Sequence, residues 1–169
     1  MRNERKPLMK TMYGLEIQCG EDQPQYFQNL LLQMRETASI FDEDENLLIT
    51  DSAIEAKVVK NLLAGRCILE ETYFLSFLEN PLTTALFTDY GFQTKNNHFF
   101  LYQDMIAAFR IESGKKEDIE MALIQFEECF IAIEEHYKKL YYVDKESKEY
   151  IMKVSKAYDI EVSFFDLDK

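Results

Sequence analysis

Glycine, cysteine and long apolar runs are all scarce in this chain, and each scarcity argues against a class of protein. Only five glycines occur among 169 residues, and the motifs GxxxxGK[ST], GxGxxG and GxSxG are absent. Loops that cradle phosphate groups need glycine where the backbone approaches the phosphate. The sequence therefore argues against such loops, and the lack of motifs lowers the expectation of catalysis without excluding it.

Cysteine is also scarce, and its spacing predicts no cysteine chemistry. Cys19, Cys67 and Cys129 are odd in number and far apart in the sequence. Neither a disulfide framework nor a CxxC metal or redox site fits this arrangement. We therefore interpret all three as small buried hydrophobic side chains of a protein from a reducing compartment.

No apolar run is long enough to suggest a signal peptide or a membrane span. The first ten residues include several basic side chains and lead into no hydrophobic segment. We expect residues 1–10 to form a flexible basic arm. The length of the chain then suits a single mainly helical domain over residues 11–169, and we expect the protein to be cytoplasmic.

Acidic residues outnumber basic ones, 31 to 19, and give the chain a formal net charge of -12. The resulting field repels phosphate backbones and anionic lipid surfaces. Direct binding to nucleic acid and association with a membrane are therefore disfavoured. A protein partner with a basic surface is favoured instead.

Apolar residues recur at helical spacing over several segments. Pro24 suits the first turn of a helix predicted over residues 23–40, and Ser52 with Glu55 has the spacing of a capping box at the start of a second helix. The apolar run over residues 67–78 predicts that helical structure continues beyond Gly65. Further helices are predicted over residues 82–90, 97–112 and 145–158.

The clearest pattern is a heptad repeat in the second half of the chain. Apolar side chains spaced alternately four and three residues apart predict one long helix over Ile119–Leu140. The repeat consists of Ile119, Leu123, Phe126, Phe130, Ile133, Tyr137 and Leu140. Such a seam needs a neighbour, either the preceding helix in an antiparallel hairpin or a second copy of the chain in a homodimer.

Alternating patterns near both ends predict short strands. Residues 13–19 and 160–164 alternate between apolar and polar side chains, and residues 46–50 are a third candidate. The two terminal strands would pair with each other. The predicted fold is therefore mainly α: a compact multi-helix bundle with a long antiparallel helical hairpin and a minor β element formed by the N- and C-terminal strands.

No residue pattern predicts a cofactor or a bound metal. The acidic segment that begins with Asp42 and Asp44 shares the first ligand positions of a calcium-binding loop. Leu47, however, occupies the position that needs glycine for a sharp turn, and Ala53 occupies that of the closing glutamate. A solvated acidic turn is the simpler interpretation.

Two histidines leave a metal-binding or catalytic alternative open. Neither His98 nor His136 lies in an HExxH motif or in the Glu-x-x-His spacing of helical di-metal sites. In the predicted helical hairpin they would nevertheless come close together. A helical metal-binding protein or an enzyme would use this pair, although no catalytic residue is assigned.

Two acidic pairs on the predicted long helix are the main feature of the candidate partner-binding site. Glu127 and Glu128 are followed seven residues later by Glu134 and Glu135, which places both pairs on one helix face. Aromatic side chains anchor interfaces while carboxylates steer the partner. The candidate partner-binding residues are Glu127, Glu128, Glu134, Glu135, Tyr141 and Tyr142.

Charge, missing motifs and abundant aromatic residues together favour a non-enzymatic interaction module. It would regulate, inhibit or chaperone a partner protein with a basic surface, as immunity proteins, antitoxins and phage-encoded inhibitors do. One alternative is a nucleic-acid mimic or a DNA-contacting regulator of a mobile element. The other is the helical metal-binding protein or enzyme that uses His98 and His136.

Overall fold

Two antiparallel sheets, rather than a bundle of helices, form the framework of the protein. The structure is a computed structural model that describes residues 9–18 and 24–167. Within this part of the chain, one sheet has six strands and the other has five, and the five α-helices are short. The prediction of a mainly α multi-helix bundle is therefore wrong.

Eleven strands and five α-helices are interspersed along the described chain. The strands are β1 (Lys10–Gln18), β2 (Asp42–Asp44), β3 (Leu47–Thr50), β4 (Ile68–Leu78), β5 (Leu82–Thr83), β6 (Gly91–Gln93), β7 (Phe99–Tyr102), β8 (Ile106–Ser113), β9 (Phe130–Glu134), β10 (Leu140–Asp144) and β11 (Glu161–Phe165). The helices are α1 (Pro24–Thr37), α2 (Ala53–Leu63), α3 (Phe87–Tyr90), α4 (Lys116–Phe126) and α5 (Lys148–Ala157). The chain forms two compact units: the first runs to Phe77 and includes Gln93–His98, and the second comprises Leu78–Phe92 and the chain from Phe99 onward.

In the first unit, α1 and α2 pack on strands that follow the order β2-β3-β1-β4. β1 lies between β3 and β4 and is antiparallel to both. Alternation along β1 places Leu15 and Ile17 in the core, as expected for a strand that packs against helices. The buried residues of this core are Leu15, Ile17, Leu30, Leu31, Met34, Ala38, Leu48, Ala56, Val59 and Leu63.

Both helices predicted for this unit are confirmed, as is the extended segment at β3. α1 begins at Pro24, whose fixed φ suits the first helical turn. α2 begins after Ser52, whose Oγ accepts a hydrogen bond of 3.2 Å from the backbone N–H of Glu55. Gly65 follows the end of α2 with a φ of 75°, a conformation that glycine adopts without steric cost.

The apolar segment after Gly65 is the strand β4, so the prediction of continued helix is wrong. Neighbouring residues of β4 differ sharply in exposure: Phe74 is 51% exposed, whereas Leu75 is fully buried. The segment pairs with β1, with Phe74 opposite Tyr13, and is therefore a strand. Apolar residues on both faces of β4 conceal the period of two that a strand would show in the sequence.

In the second unit, strands follow the order β11-β8-β10-β9-β5, and two of them replace the second half of the predicted heptad helix. The helix ends with α4 at Phe126, and a 3₁₀ turn, Glu127–Cys129, leads into β9. β9 and β10 then pair antiparallel as a hairpin, with Tyr141 opposite Ile133. The predicted helical hairpin and the Ile119–Leu140 homodimer seam are therefore absent from the described chain.

Burial on both faces of these strands explains the misleading heptad. Ile131 and Ala132 are adjacent in β9, and both are fully buried. A strand buried on both faces carries apolar residues at consecutive positions, and a helical spacing can be selected from such a run. Tyr137, a member of the supposed seam, lies in the β9–β10 turn and is fully exposed. The helix predicted over residues 97–112 is wrong for the same reason, since this segment forms β7 and β8.

The predicted C-terminal helix and strand are confirmed as α5 and β11, but the expected strand pairing is wrong. β11 pairs with β8, whereas β1 pairs with β3 and β4. Of the helix predicted over residues 82–90, only α3 is helical, and Leu82–Thr83 is β5. Gly91 ends α3 as predicted. A Cβ atom at this position would collide with the backbone oxygen of Phe100, so only glycine fits there.

One cysteine prediction is wrong. Cys67 is disulfide-bonded in the structure, in contrast to the small hydrophobic thiol expected there. Cys129 is a free, partly buried thiol. Cys19 lies outside the described residues.

The division of the chain into a basic arm over residues 1–10 and one domain over residues 11–169 stays a prediction. Residues 1–8 lie outside the described range, and Lys10 already belongs to β1. Across the described helices, none combines the length and the apolar character that crossing a membrane would require.

Insertion of Gly-Ser after Tyr137 tests the β9–β10 turn. In the hairpin the added residues only lengthen an exposed turn, and we expect the free energy of unfolding to fall by less than about 1 kcal/mol. In a continuous helix they would rotate the buried stripe by about 200° and prevent packing. Urea denaturation measures the change, and the same insertion after Ala122 in α4 is the control that should be far more destabilising. Equal losses at the two positions would contradict the hairpin.

Thiol alkylation of the denatured protein tests the disulfide. Without a reductant we expect Cys129 to be labelled and Cys67 to be protected, because only a thiol reacts with the reagent. Reduction before labelling should expose Cys67. Peptide mass spectrometry distinguishes the two sites, and labelling of Cys67 without reduction would show that the bond is absent.

Candidate functional site

One helix presents apolar side chains on the face that points away from its core. α4 buries Ala122 and Phe126 in the core of the second unit. Met121 and Ile124 lie on the opposite face and are 47% and 59% exposed. Because residues three apart on a helix are neighbours on its surface, these two side chains form one apolar spot.

Acidic side chains stand at both ends of this spot. Glu117 lies one turn before it and Glu128 about one turn after it, and both are exposed. Tyr150 of α5, also partly exposed, donates a hydrogen bond of 3.3 Å from its hydroxyl to the backbone oxygen of Gln125 in α4. The α4 surface is defined here as Glu117, Met121, Ile124, Glu128 and Tyr150.

The sequence contained a signal for this surface that the heptad interpretation concealed. Within α4 the seam positions Ile119, Leu123 and Phe126 lie on the inward side. Met121 and Ile124 therefore fall on the outward side of any helix drawn through this segment. Apolar residues gathered on the solvent face of an amphipathic helix indicate an interaction surface.

Three of the six predicted partner-binding residues are exposed. Glu127 and Glu128 lie in the 3₁₀ turn after α4, and Glu135 follows β9. Glu135 makes an ion pair of 2.9 Å with Lys139, and its hydrogen bond raises the pKa of that lysine. Because the helix ends at Phe126, these acids do not share the helix face that was predicted for them.

The other three predicted residues, Glu134, Tyr141 and Tyr142, are buried. The ring of Tyr141 stacks on Phe109 and Phe130, with centroid distances of 5.3 and 5.1 Å, and burial raises its pKa. The partner-binding role of the six residues as a set stays a prediction. These three, however, do not reach the surface, so the site proposed below does not use them.

Glu134 is a buried carboxylate that joins the β9–β10 hairpin to a neighbouring segment. It accepts hydrogen bonds of 2.6 Å from the hydroxyl of Tyr142 and from the backbone N–H of Glu79. Burial, and then the negative charge of Glu134, raises the pKa of Tyr142 well above its ordinary value. Both carboxylate oxygens of Glu134 thus accept hydrogen bonds from within the protein, and Tyr142 is fully buried.

His136 lies beside the same carboxylate. Its Nε2 is 3.5 Å from a carboxylate oxygen of Glu134, is buried, and makes no hydrogen bond in the described structure. The side chain as a whole is 28% exposed.

A second buried carboxylate, Asp42, lies in the first unit. Its Oδ2 accepts a hydrogen bond of 2.6 Å from the hydroxyl of Thr94 and lies 2.6 Å from Nδ1 of His98. Its Oδ1 accepts hydrogen bonds from the side-chain amide of Asn96, at 2.7 Å, and from the backbone N–H of Glu43, at 2.8 Å. The Asp42 latch, defined as Asp42, Thr94, Asn96 and His98, therefore ties the turn that carries the last three residues to β2.

The hydrogen bonds of the latch keep Asp42 ionised in spite of its burial. Burial by itself raises the pKa of this carboxyl group, but the bonds from Thr94, His98 and Asn96 outweigh that effect. The net result is a pKa below the ordinary value of 3.8.

His98 packs against two aromatic rings in addition to Asp42. Its ring centroid lies 4.9 Å from that of Phe41 and 5.6 Å from that of Phe77, and one third of the side chain is exposed. An aspartate that orients an imidazole is also a feature of acid–base catalysis. Here the carboxylate is shared with Thr94 and Asn96, so anchoring of the turn accounts for the pair without a substrate.

The helical hairpin that was expected to bring His98 and His136 together is not formed, because residues 97–112 and 130–144 contain strands. Among the residues that the structure describes, no group of three or more His, Cys, Asp and Glu side chains is placed to hold a metal ion. Asp42 and Asp44, which resemble the start of a calcium loop in sequence, form the strand β2 instead.

Comparison with protein-family models and with curated protein sequences finds no match for this chain. Its function is therefore inferred from the geometry of its own side chains. Among the features described above, only the α4 surface combines exposure, apolar character and charge.

Replacement of Asp42 by asparagine tests the latch. The variant loses the negative charge, and its amide NH₂ faces groups that donate hydrogen bonds to the carboxylate of the wild type. We therefore expect the free energy of unfolding at pH 7 to fall by about 2 kcal/mol. Because the pKa of Asp42 is lower in the folded protein than in the unfolded chain, its stabilising effect is present above pH 3.8 and is lost as the pH falls further.

Urea denaturation from about pH 7 to about pH 2.5 should therefore show a difference between wild type and Asp42→Asn that shrinks at acidic pH. Asp51→Asn, at an exposed position of the same unit, is the matched control and should change stability little. A difference that stays constant over this pH range would contradict the role given to the Asp42 charge.

Proposed function

We propose that this protein is a non-enzymatic interaction module that binds a protein partner through the α4 surface. Binding regulates, inhibits or chaperones that partner, as immunity proteins, antitoxins and phage-encoded inhibitors do with theirs. The observation that carries the proposal is the pair Met121 and Ile124, exposed between Glu117 and Glu128.

Burial of this apolar pair provides the driving force for association. Complete burial of a side chain of this size contributes about 1.5–3 kcal/mol. Methionine and aromatic residues are enriched at the centres of interfaces, and Tyr150 adds an apolar ring with a polar tip. α4 has 11 residues, long enough to lay one face into a groove on a partner.

Charge defines the chemistry of the partner. The acidic ends of the α4 surface, together with a net charge of -12, favour an apolar groove rimmed by lysine or arginine. The rim charges raise the association rate more than they tighten the final complex. Binding by this mode weakens as salt screens the charges.

The alternatives receive less support from the described residues. A nucleic-acid mimic needs carboxylates along a face that fits a basic groove, whereas the centre of the α4 surface is apolar. A DNA-contacting regulator is opposed by the net negative charge. The helical metal-binding protein or enzyme relied on a hairpin that is not formed.

The compartment is a separate matter from the binding mode. A cytoplasmic location was predicted from the spacing of the cysteines and from the lack of a long apolar run, and it remains a prediction. The disulfide at Cys67 points in the other direction, because such bonds persist mainly in oxidising compartments. The proposed interaction depends on neither location.

Capture of a partner by the tagged chain, followed by affinity measurements on the purified pair, tests the proposal. We expect the double variant Met121→Glu and Ile124→Glu to weaken the complex by about 30-fold or more, because it places charge at the centre of the interface. Both positions are exposed, so the variant should fold normally. Ile54→Glu on α2 is the matched control, because Ile54 is also an exposed apolar residue of a helix but lies outside the α4 surface.

The proposal would be supported by a stoichiometric protein partner whose affinity falls with rising salt. Its affinity should be unchanged by Ile54→Glu and lost in the double variant. A partner bound equally well by the double variant would place the interface elsewhere. Co-purification of a nucleic acid or a metal ion in place of a protein would favour the alternatives.

A further inference from the structure

The strand β11 is one edge of the five-stranded sheet and pairs there with β8. Among the described residues, no backbone hydrogen bond joins Glu161–Phe165 to any segment other than β8. We propose that the open edge of β11 binds β11 of a second copy of this chain, antiparallel and about a two-fold axis. The two five-stranded sheets then continue into each other across the axis.

β11 lacks the features that usually prevent an edge strand from pairing with another chain. Proline, lysine and bulges in the edge strand are common features of this kind. β11 contains neither proline nor lysine, and the one irregularity of its ladder places the extra residue on β8. Its one charged residue, Glu161, is at its first position, and the four residues after it are partly exposed. The edge is therefore regular and accessible to another strand.

The side chains of β11 are self-complementary when the two-fold axis passes beside Ser163. In that register Val162 lies opposite Phe164 of the second copy. Glu161 lies opposite Phe165 of the second copy, and Ser163 lies opposite its own counterpart. Residues that are directly opposite on antiparallel strands share a face of the sheet, so apolar side chains meet and no two like charges are opposed. A symmetric contact of this kind closes as a dimer.

The face of the sheet that carries Glu161 and Phe165 provides an excess of positive charge. Arg110 of β8 lies over the Phe165 ring, with its guanidinium carbon 5.5 Å from the ring centroid. Arg110 and Lys138 share one carboxylate, that of Glu112, so these three side chains have a net charge of about +1 at neutral pH. The side chain of Arg110 is 36% exposed, and a carboxylate of a second copy can therefore reach it.

Glu161 supplies the complementary negative charge. One of its carboxylate oxygens accepts a hydrogen bond of 2.7 Å from the hydroxyl of Ser113, which is a neutral donor. Among the described residues Glu161 makes no ion pair. In the proposed register it lies beside Phe165 of the second copy, within reach of the Arg110 that covers this ring. Symmetry forms this ion pair twice, so the occupant that fits the edge is the chain itself.

Sedimentation equilibrium of the full chain tests the proposal. Two paired strands of five residues form a small contact, so we expect a reversible dimer with a Kd on the order of 100 µM. Dimer formation should also slow hydrogen exchange at the β11 amides that point away from β8. A chain that stays monomeric up to about 1 mM would overturn the proposal.

Glu161→Arg and Arg110→Glu form a matched pair of variants. Each places like charges at both ends of the contact, so each should weaken dimerisation by about tenfold or more. Mixed in equal amounts, the two variants should associate as the wild type does, because each end of the mixed dimer again holds one carboxylate and one guanidinium group. Glu149→Arg, at an exposed position of α5, makes the same change of charge and should leave dimerisation unchanged. A mixture that does not associate would contradict the proposed register.

Disulfide cross-linking at Ser163→Cys is a second measurement, made in a Cys129→Ser background that lacks the free thiol. Directly opposite residues of antiparallel strands have Cα atoms about 4.5–5.5 Å apart, which suits a disulfide. We therefore expect a covalent dimer under mild oxidation. Ser113→Cys, exposed on β8 and one strand further from the axis, is the control and should not cross-link. Equal cross-linking at the two positions, or none at Ser163→Cys, would overturn the proposal.

The proposed dimer is independent of the proposed partner interaction, because no residue of β11 belongs to the α4 surface. The double variant Met121→Glu and Ile124→Glu should dimerise as the wild type does. Glu161→Arg should in turn bind the protein partner normally. These two results separate a failure of the β11 edge from a failure of the α4 surface.

Discussion

Phe109, Tyr141 and Phe130 stack nearly face to face across three neighbouring strands of the second unit. This row of rings ties β8, β10 and β9 together by side-chain contact in addition to backbone hydrogen bonds. Phe126 of α4 meets Phe109 and Phe130 edge-on, with centroid distances of 5.9 and 6.5 Å, and so docks its helix on the same row. The position and rotation of α4 therefore follow from the packing of these four rings.

The α4 surface is a consequence of that docking. Once Phe126 and Ala122 face the sheet, the 3.6-residue period of the helix leaves Met121 and Ile124 no place in the core. They remain exposed although exposure of apolar surface has a cost in free energy. Their position between carboxylates and beside Tyr150 is the observation on which the proposed interaction rests.

Buried carboxylates play a different part, because each holds distant segments together. Asp42 and Glu134 are both removed from solvent, and both are satisfied by several hydrogen bonds, which is the condition for burying a charge at acceptable cost. Each histidine of the chain lies beside one of them: His98 beside Asp42 and His136 beside Glu134. The histidines are thus explained within their own units. Local sequence could not show this for His98, whose carboxylate partner is 56 residues away.

Local signals in the sequence were sufficient for α1, α2, α5 and the terminal strands. The fixed φ of a proline at position 24, the cap at Ser52 and the alternation in β1 and β11 act within a few residues, so no distant contact was needed to interpret them. Only the tertiary structure decided that the long apolar runs are strands, because a run with apolar residues on both faces lacks the alternation of a strand and allows a helical spacing to be selected from it. It likewise decided which acidic and aromatic residues reach solvent. Glu134 and Tyr142 cannot be told from Glu128 and Tyr150 by type, but neighbours from other strands bury the first pair and leave the second exposed.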